Sequence, residues 1–239
     1  MKTARPRSLS GLYIILDPSV DPARPLVEVL KTAAEAGAFL FQYRNKRAAM
    51  KDAYTEALAL RQAAAKAGVL FIVNDRCDLA LAVDADGVHL GQDDLPLGLA
   101  RKVMGPDKLI GISTHNSDQV RDATAERPDY LGFGPIFKPG SKQDHDPVVG
   151  LEGLRAMRGL TPLPVFAIGG IHIEQADELI QAGANGVAVI SAILGPEYQP
   201  RCECVPRPDA KTNLASFVIG AVLARRTRPS SQFRVTLGL

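Results

Sequence analysis

The chain has 239 residues, of which 46% are hydrophobic, enough apolar material for the core of one barrel-sized domain. With 28 Lys and Arg against 26 Asp and Glu, the net charge of +2 gives no reason to expect nucleic acid or an anionic membrane as partner, so any basic chemistry must be local. The cysteines Cys77, Cys202 and Cys204 are odd in number and lack a repeated spacing, and neither the basic N-terminus nor the apolar stretch from Leu214 to Leu223 has the length of a signal core or a membrane span; reduced thiols in a soluble, cytoplasmic protein are expected.

Short runs rich in Val, Ile, Leu and Phe alternate with longer Ala-rich segments, the pattern of repeated βα units around a parallel sheet. The spacing predicts strands over Leu12–Leu16, Phe39–Tyr43, Val69–Val73, Gly87–His89, Leu109–Ser113, Tyr130–Phe133, Val165–Ile168 and Gly186–Ile190. Helices are expected between them, among them Pro25–Ala36 and Ala48–Lys66, and Gly37, Gly68 and Gly183 fit the left-handed position that ends a helix. No G-x-G-x-x-G follows the first strand, and polar residues stand after several successive strands. A closed barrel gathers such strand ends at one mouth, so the fold class is α/β, a single (β/α)8 TIM barrel.

The last part of the chain departs from this rhythm. Residues 195–209 carry four prolines and read as an irregular link. An apolar-faced helix over 211–226 is expected to serve as the eighth, giving a barrel domain of residues 1–226 with an atypical C-terminal tail, frayed over 227–239.

At the second strand, Gln42, Arg44 and Lys46 alternate with Tyr43 and Asn45, and on an extended chain the first three share a face. A guanidinium fork and a compact ammonium suit a diphosphate, although an R-x-K read alone fits a solvated basic loop better. The third strand ends abruptly in Asn74-Asp75, and Asp93-Asp94 follows the fourth. Carboxylates Asp75 and Asp94 from adjacent strand ends can hold one Mg²⁺, a hard cation that prefers oxygen ligands; the alternatives are a helix cap at Asp75 and a helix start at Asp94. Ser113 ends the fifth strand. Gly169-Gly170 after the seventh strand and Ile190-Ser191 after the eighth occupy the place where barrels frequently bind phosphate. His89 reads as a barrel-interior residue, and His115, His145 and His172 as solvated loop residues.

Several of these segments, QYRNK (42–46), VNDRCDLALAVDADGVHLGQDDLP (73–96), IGIS (110–113), DYLGFGPIF (129–137), AIGGI (167–171) and VAVISAI (187–193), together resemble the thiamine phosphate synthase family over nearly all of residues 11–194. The resemblance implies that Gln42, Arg44, Lys46 and Asn74, with Tyr43 and Asn45 in the same motif, meet a hydroxymethylpyrimidine diphosphate, that Ser113 and Lys142 contact that substrate, and that Asp75 and Asp94 bind Mg²⁺. It implies that Gly170, Ile190 and Ser191 receive a thiazole phosphate, and that pyrophosphate leaves first, with Arg44, Lys46, Ser113 and Lys142 as the catalytic set. Small-molecule substrates are the expected partners, and self-association is left open.

One loop departs from the family pattern P-T-x-T-K: here Lys138-Pro139-Gly140-Ser141-Lys142 keeps the lysine, replaces one threonine by Ser141 and loses the other to Pro139, which offers neither hydroxyl nor N–H. The rival readings are a thiazole tautomerase on the same barrel, which needs no diphosphate-binding lysines or paired Mg²⁺ ligands, and a sensor that binds without turnover.

Overall fold

The computed structural model describes residues 9–138 and 146–194. Eight parallel strands close into a barrel in sequence order: β1 (Gly11–Leu16), β2 (Leu40–Tyr43), β3 (Leu70–Asn74), β4 (Gly87–Leu90), β5 (Leu109–Thr114), β6 (Tyr130–Phe133), β7 (Val165–Ile168) and β8 (Gly186–Val189). Closure runs through β8 and β1, with Gly11 opposite Gly186 and Ile14 opposite Val189. Helices follow each strand: α1 (Leu26–Glu35), α2 (Met50–Ala67), α3 (Cys77–Ala82), α4 (Leu97–Met104), α5 (Ser117–Glu126), α6 (Gly150–Arg158), α7 (Ala176–Gln181) and α8 (Ser191–Leu194). The expected strands are all present, with ends that coincide or differ by one residue. The helix expected over 211–226 and the tail over 227–239 lie outside the described residues. Among the described residues no helix is long and apolar enough to cross a membrane.

Period-two alternation divides each strand between two cores. Tyr13 and Ile15 of β1, Leu40 of β2, Ile72 of β3, Tyr130 of β6 and Phe166 of β7 pack together inside the barrel. Their neighbours Leu12, Ile14, Phe41, Val73, Leu131 and Ala167 pack outward with buried faces of the helices. The longest helix, α2, shows why it docks: Ala53, Ala57, Leu60 and Ala64 recur at three to four residues and are buried. It stops at Gly68, whose φ of 70° is the left-handed cap expected from the sequence.

At the N-terminal rim, the residue before each of β4, β6 and β8 carries an Asx side chain that clamps the preceding strand. Asp86, Asp129 and Asn185 accept the backbone N–H groups of Phe71, Ile110 and Val165 at 2.8, 2.8 and 2.9 Å through their side chains. Each returns its own N–H to the same residue's carbonyl at 2.8 Å. These reciprocal pairs fix β3 to β4, β5 to β6 and β7 to β8.

Candidate active site

The other rim opens into a cavity bounded by residues from all eight strands or the loops after them. Gln42 of β2 and Arg44 just after it line the cavity together, as their shared face requires. Arg44 is held by Asp17, which continues the inward face of β1 beyond Tyr13 and Ile15 and is buried at 3% exposure. The second oxygen of Asp17 accepts the backbone N–H of Ser19 at 2.9 Å and its hydroxyl at 2.6 Å. One edge of the guanidinium is thus anchored by a carboxylate that is itself fixed.

Tyr43 and Asn45, expected with the substrate-binding residues, do not reach the cavity. Being out of phase with Gln42 and Arg44, they leave through the opposite face. The Tyr43 hydroxyl donates to Glu56 on α2 at 2.5 Å. The Asn45 amide reaches the same carboxylate at 3.1 Å, and its carbonyl accepts the N–H groups of Arg47 and Ala48 at 3.2 and 3.0 Å. Their place in the structure is the β2–α2 turn.

Lys46 lies at the rim, where its ammonium is 3.0 Å from Asp75. Asp75 has a φ of 61°, an uncommon backbone for a residue with a side chain, and its N–H is tied to the His89 carbonyl at 2.8 Å. Neither acid caps a helix: the N-cap positions are Arg76 for α3 and Pro96 for α4, without side-chain bonds. Instead Asp94 folds back to accept the Gly91 N–H at 2.6 Å. Its carboxyl is pushed above the usual carboxylate range by burial, against the pull of that N–H, and further by the Asp75 carboxyl hydrogen-bonded beside it. Asp75 and Asp94, predicted as a pair, are therefore neighbours.

Asn74, Ser113, Gly170, Ile190 and Ser191 all line the cavity. Gly170 has a φ of 61°, and a Cβ there would fall 2.5 Å from the Lys138 carbonyl oxygen and 2.8 Å from that of Phe137. The bare backbone lets the β7 loop press against the β6 loop, which is laced to it by Ile136 N–H to Ile168 O at 2.9 Å and Phe137 N–H to Gly169 O at 3.0 Å. Pro139, Ser141, Lys142 and His145 lie outside the described residues.

The histidines divide. His89 is interior, as expected: 7% exposed, stacked on Tyr130, and lowered from an ordinary pKa of 6.5 to about 4 by burial. His172 is exposed. His115 corrects the expectation of a solvated loop residue, because it lines the cavity, its Nδ1–H donates to the Gly134 carbonyl at 2.6 Å, and its Nε2 lies 3.4 Å from Asp146. Sequence reasoning missed His115, Asp146 and Asp17; of these only Asp17 carried a signal, its even spacing from Tyr13 and Ile15.

Strand ends that bring a fixed guanidinium and closely packed glycine backbone to one cavity, with an acidic pair on the loops after β3 and β4, define a (β/α)8 barrel with its ligand site at the C-terminal mouth, the usual place for barrel enzymes. The family model for thiamine monophosphate synthase matches residues 12–193. A thiamine-phosphate synthase from Moorella thermoacetica is 45% identical over 184 residues, covering 77% of this chain and 88% of that protein, and one from Chloroflexus aurantiacus is 46% identical over 183 residues, covering 77% and 84%. A solved thiamine phosphate pyrophosphorylase from Pyrococcus furiosus superimposes with a TM-score of 0.74 at 36% identity, covering 89% of this chain and 96% of that one. The chain belongs to the thiamine monophosphate synthase family and is a transferase that forms thiamine phosphate.

Proposed function

We propose that this transferase joins a hydroxymethylpyrimidine diphosphate to a hydroxyethylthiazole phosphate, releasing pyrophosphate, and that it depends on Mg²⁺. The observation that carries the reading is the juxtaposition of Asp75 and Asp94 beside Lys46, with Asp75 next in sequence to Asn74, which lines the cavity together with Arg44. Among the described residues no group of three or more His, Cys, Asp or Glu forms a metal cluster. Two carboxylates with an elevated Asp94 nevertheless fit a hard cation that completes its shell with phosphate oxygens and water, since such an ion relieves their repulsion. When bound, Mg²⁺ supplies neutralisation of the diphosphate charge.

The chain's own residues then act by electrostatics. Arg44, one edge held by Asp17, turns its remaining N–H groups to the diphosphate, and Lys46 and Lys142 add point charges. These contacts strengthen as the C–O bond breaks and negative charge collects on the departing pyrophosphate, so they favour the transition state over the bound substrate. The pyrimidine methylene cation left behind is captured by the thiazole nitrogen, and no side chain needs to take a proton. Gly170, Ile190 and Ser191 receive the thiazole phosphate, with Ser141 as the hydroxyl remaining on the neighbouring loop.

The test is direct formation of thiamine phosphate from both substrates, with and without Mg²⁺. Chelator abolishes turnover, and Asp75→Ala or Asp94→Ala lowers it by roughly 100-fold or more while the melting temperature holds. Full activity of Asp75→Ala in Mg²⁺ removes the metal assignment.

A further inference from the structure

Five polar side chains from five different strands form one unbroken hydrogen-bonded chain across the barrel interior. Gln42 Nε2 lies 2.5 Å from Tyr13 Oη, which lies 2.8 Å from Tyr130 Oη. Tyr130 Oη lies 3.1 Å from His89 Nδ1, and His89 Nε2 lies 3.0 Å from Ser113 Oγ. The two ends, Gln42 and Ser113, line the cavity, whereas Tyr130 in the middle is not among the lining residues. Neighbouring strands leave room for the chain by omitting side chains. A Cβ at Gly111 would fall 2.1 Å from the Tyr130 ring and 2.5 Å from His89 Nδ1, and one at Gly132 would fall 3.3 Å from His89 Cε1.

With every hydroxyl proton kept inside the chain, counting protons gives it one direction. The Gln42 amide nitrogen has no lone pair to offer, so Tyr13 accepts from it. Tyr13 owns one proton, which then goes to Tyr130, and the single proton of Tyr130 goes to His89 Nδ1. That nitrogen must be bare, so the ring proton sits on Nε2 and is donated to Ser113 Oγ. The Ser113 hydroxyl proton is left over. Gln42, having used only its nitrogen, likewise keeps its carbonyl oxygen.

We infer that Tyr130 and His89 are positioning residues that set the direction of this chain, so that Ser113 offers a proton and Gln42 a carbonyl oxygen to the heterocyclic ring of the substrate. The inference rests on the reading of Gln42 and Ser113 as contacts of the pyrimidine diphosphate. It adds a polarity to that site: the ring it selects carries one lone-pair acceptor and one N–H donor, and a ring with the two exchanged meets donor against donor and acceptor against acceptor. Neither Tyr130 nor His89 needs to touch the reacting atoms.

Two measurements test this. The first is the nitrogen-15 spectrum of the histidine rings in the full, substrate-free protein. His89 is expected with a pyridine-like Nδ1 and a protonated Nε2; a protonated Nδ1 with a bare Nε2 means that the chain runs the other way and overturns the inference. The second is kinetics of Tyr130→Phe with each substrate varied separately. Removing the hydroxyl frees Ser113 to turn its proton to His89, so KM for the pyrimidine diphosphate rises about tenfold while KM for the thiazole phosphate holds. Tyr130→Phe and Ser113→Ala are expected to be non-additive, although His89 stands between the two hydroxyls. Additive effects, or an unchanged pyrimidine constant, overturn the positioning role. Because the spectrum needs no substrate, the expected tautomer in a protein that forms no thiamine phosphate upholds the chain and counts against the substrate reading alone.

Discussion

Asp17 illustrates how a residue outside any motif becomes part of a site. It follows a strand and precedes a proline, which on sequence alone reads as a turn. The alternation that put Gln42 and Arg44 on one face, applied one strand earlier, places Asp17 inward with Tyr13 and Ile15, and there it anchors the guanidinium. The same rule separates Tyr43 and Asn45 from the cavity, so a motif that reads as five contiguous residues delivers Gln42 and Arg44 to its lining. His89 makes a prediction at this scale. Burial lowers it from 6.5 to about 4 in the fold, so between those values the unfolded chain binds a proton that the folded chain refuses. Its contribution is present above the unfolded value and is lost as pH falls toward the folded one. Stability is expected to drop by about 2 kcal/mol more between pH 7 and pH 5 in the wild type than in His89→Gln, read by urea denaturation at the two pH values. An equal drop in both proteins removes the assignment of that acid sensitivity to His89.

Among the elements, what the sequence made legible was period and punctuation. Apolar runs marked all eight strands, because a strand buried on both faces has little freedom in composition. The glycines at 37, 68 and 183, all with positive φ, marked helix ends. Strand ends shifted by at most one residue, because terminal residues belong to the hydrogen-bonding of both the strand and its turn. The Asx clamps were not legible, since Asp86, Asp129 and Asn185 look like ordinary loop residues until their strands are paired. They carry a prediction of their own. Asp129 accepts from the backbone of Ile110 at 2.8 Å and from Arg101 at 2.7 Å, so Asp129→Ala leaves a backbone donor and a cation short of their acceptor. The expected loss is about 2 to 3 kcal/mol in urea denaturation, and Asp129→Asn, which keeps an acceptor, recovers part of it. A loss under half a kcal/mol on Asp129→Ala, a size typical of ordinary surface changes, would show that the clamp is idle.

For the molecule as a whole, the order of strands around the barrel is the order of the sequence, and the polar residues at consecutive strand ends announced a common mouth before any contact was known. What the linear pattern withheld was depth. The chain from Gln42 to Ser113 crosses the barrel through residues that are tens of positions apart, and nothing local marks Tyr130 as a partner of Tyr13. The clamps add a consequence in time. They join residues only 15, 19 and 20 positions apart, whereas β1 and β8 come from opposite ends of the described barrel. Short loops close at smaller entropic cost, so two-stranded units at β3–β4, β5–β6 and β7–β8 are expected to assemble early and the seam at Gly11 to close last. In native-state hydrogen exchange the amides of Phe71, Ile110 and Val165 should then outlast that of Gly11, which is bonded across the seam to Asn185 at 2.9 Å. A barrel that is seamless in its hydrogen bonding would thereby open, under mild stress, at one place: the junction where the first strand meets the last.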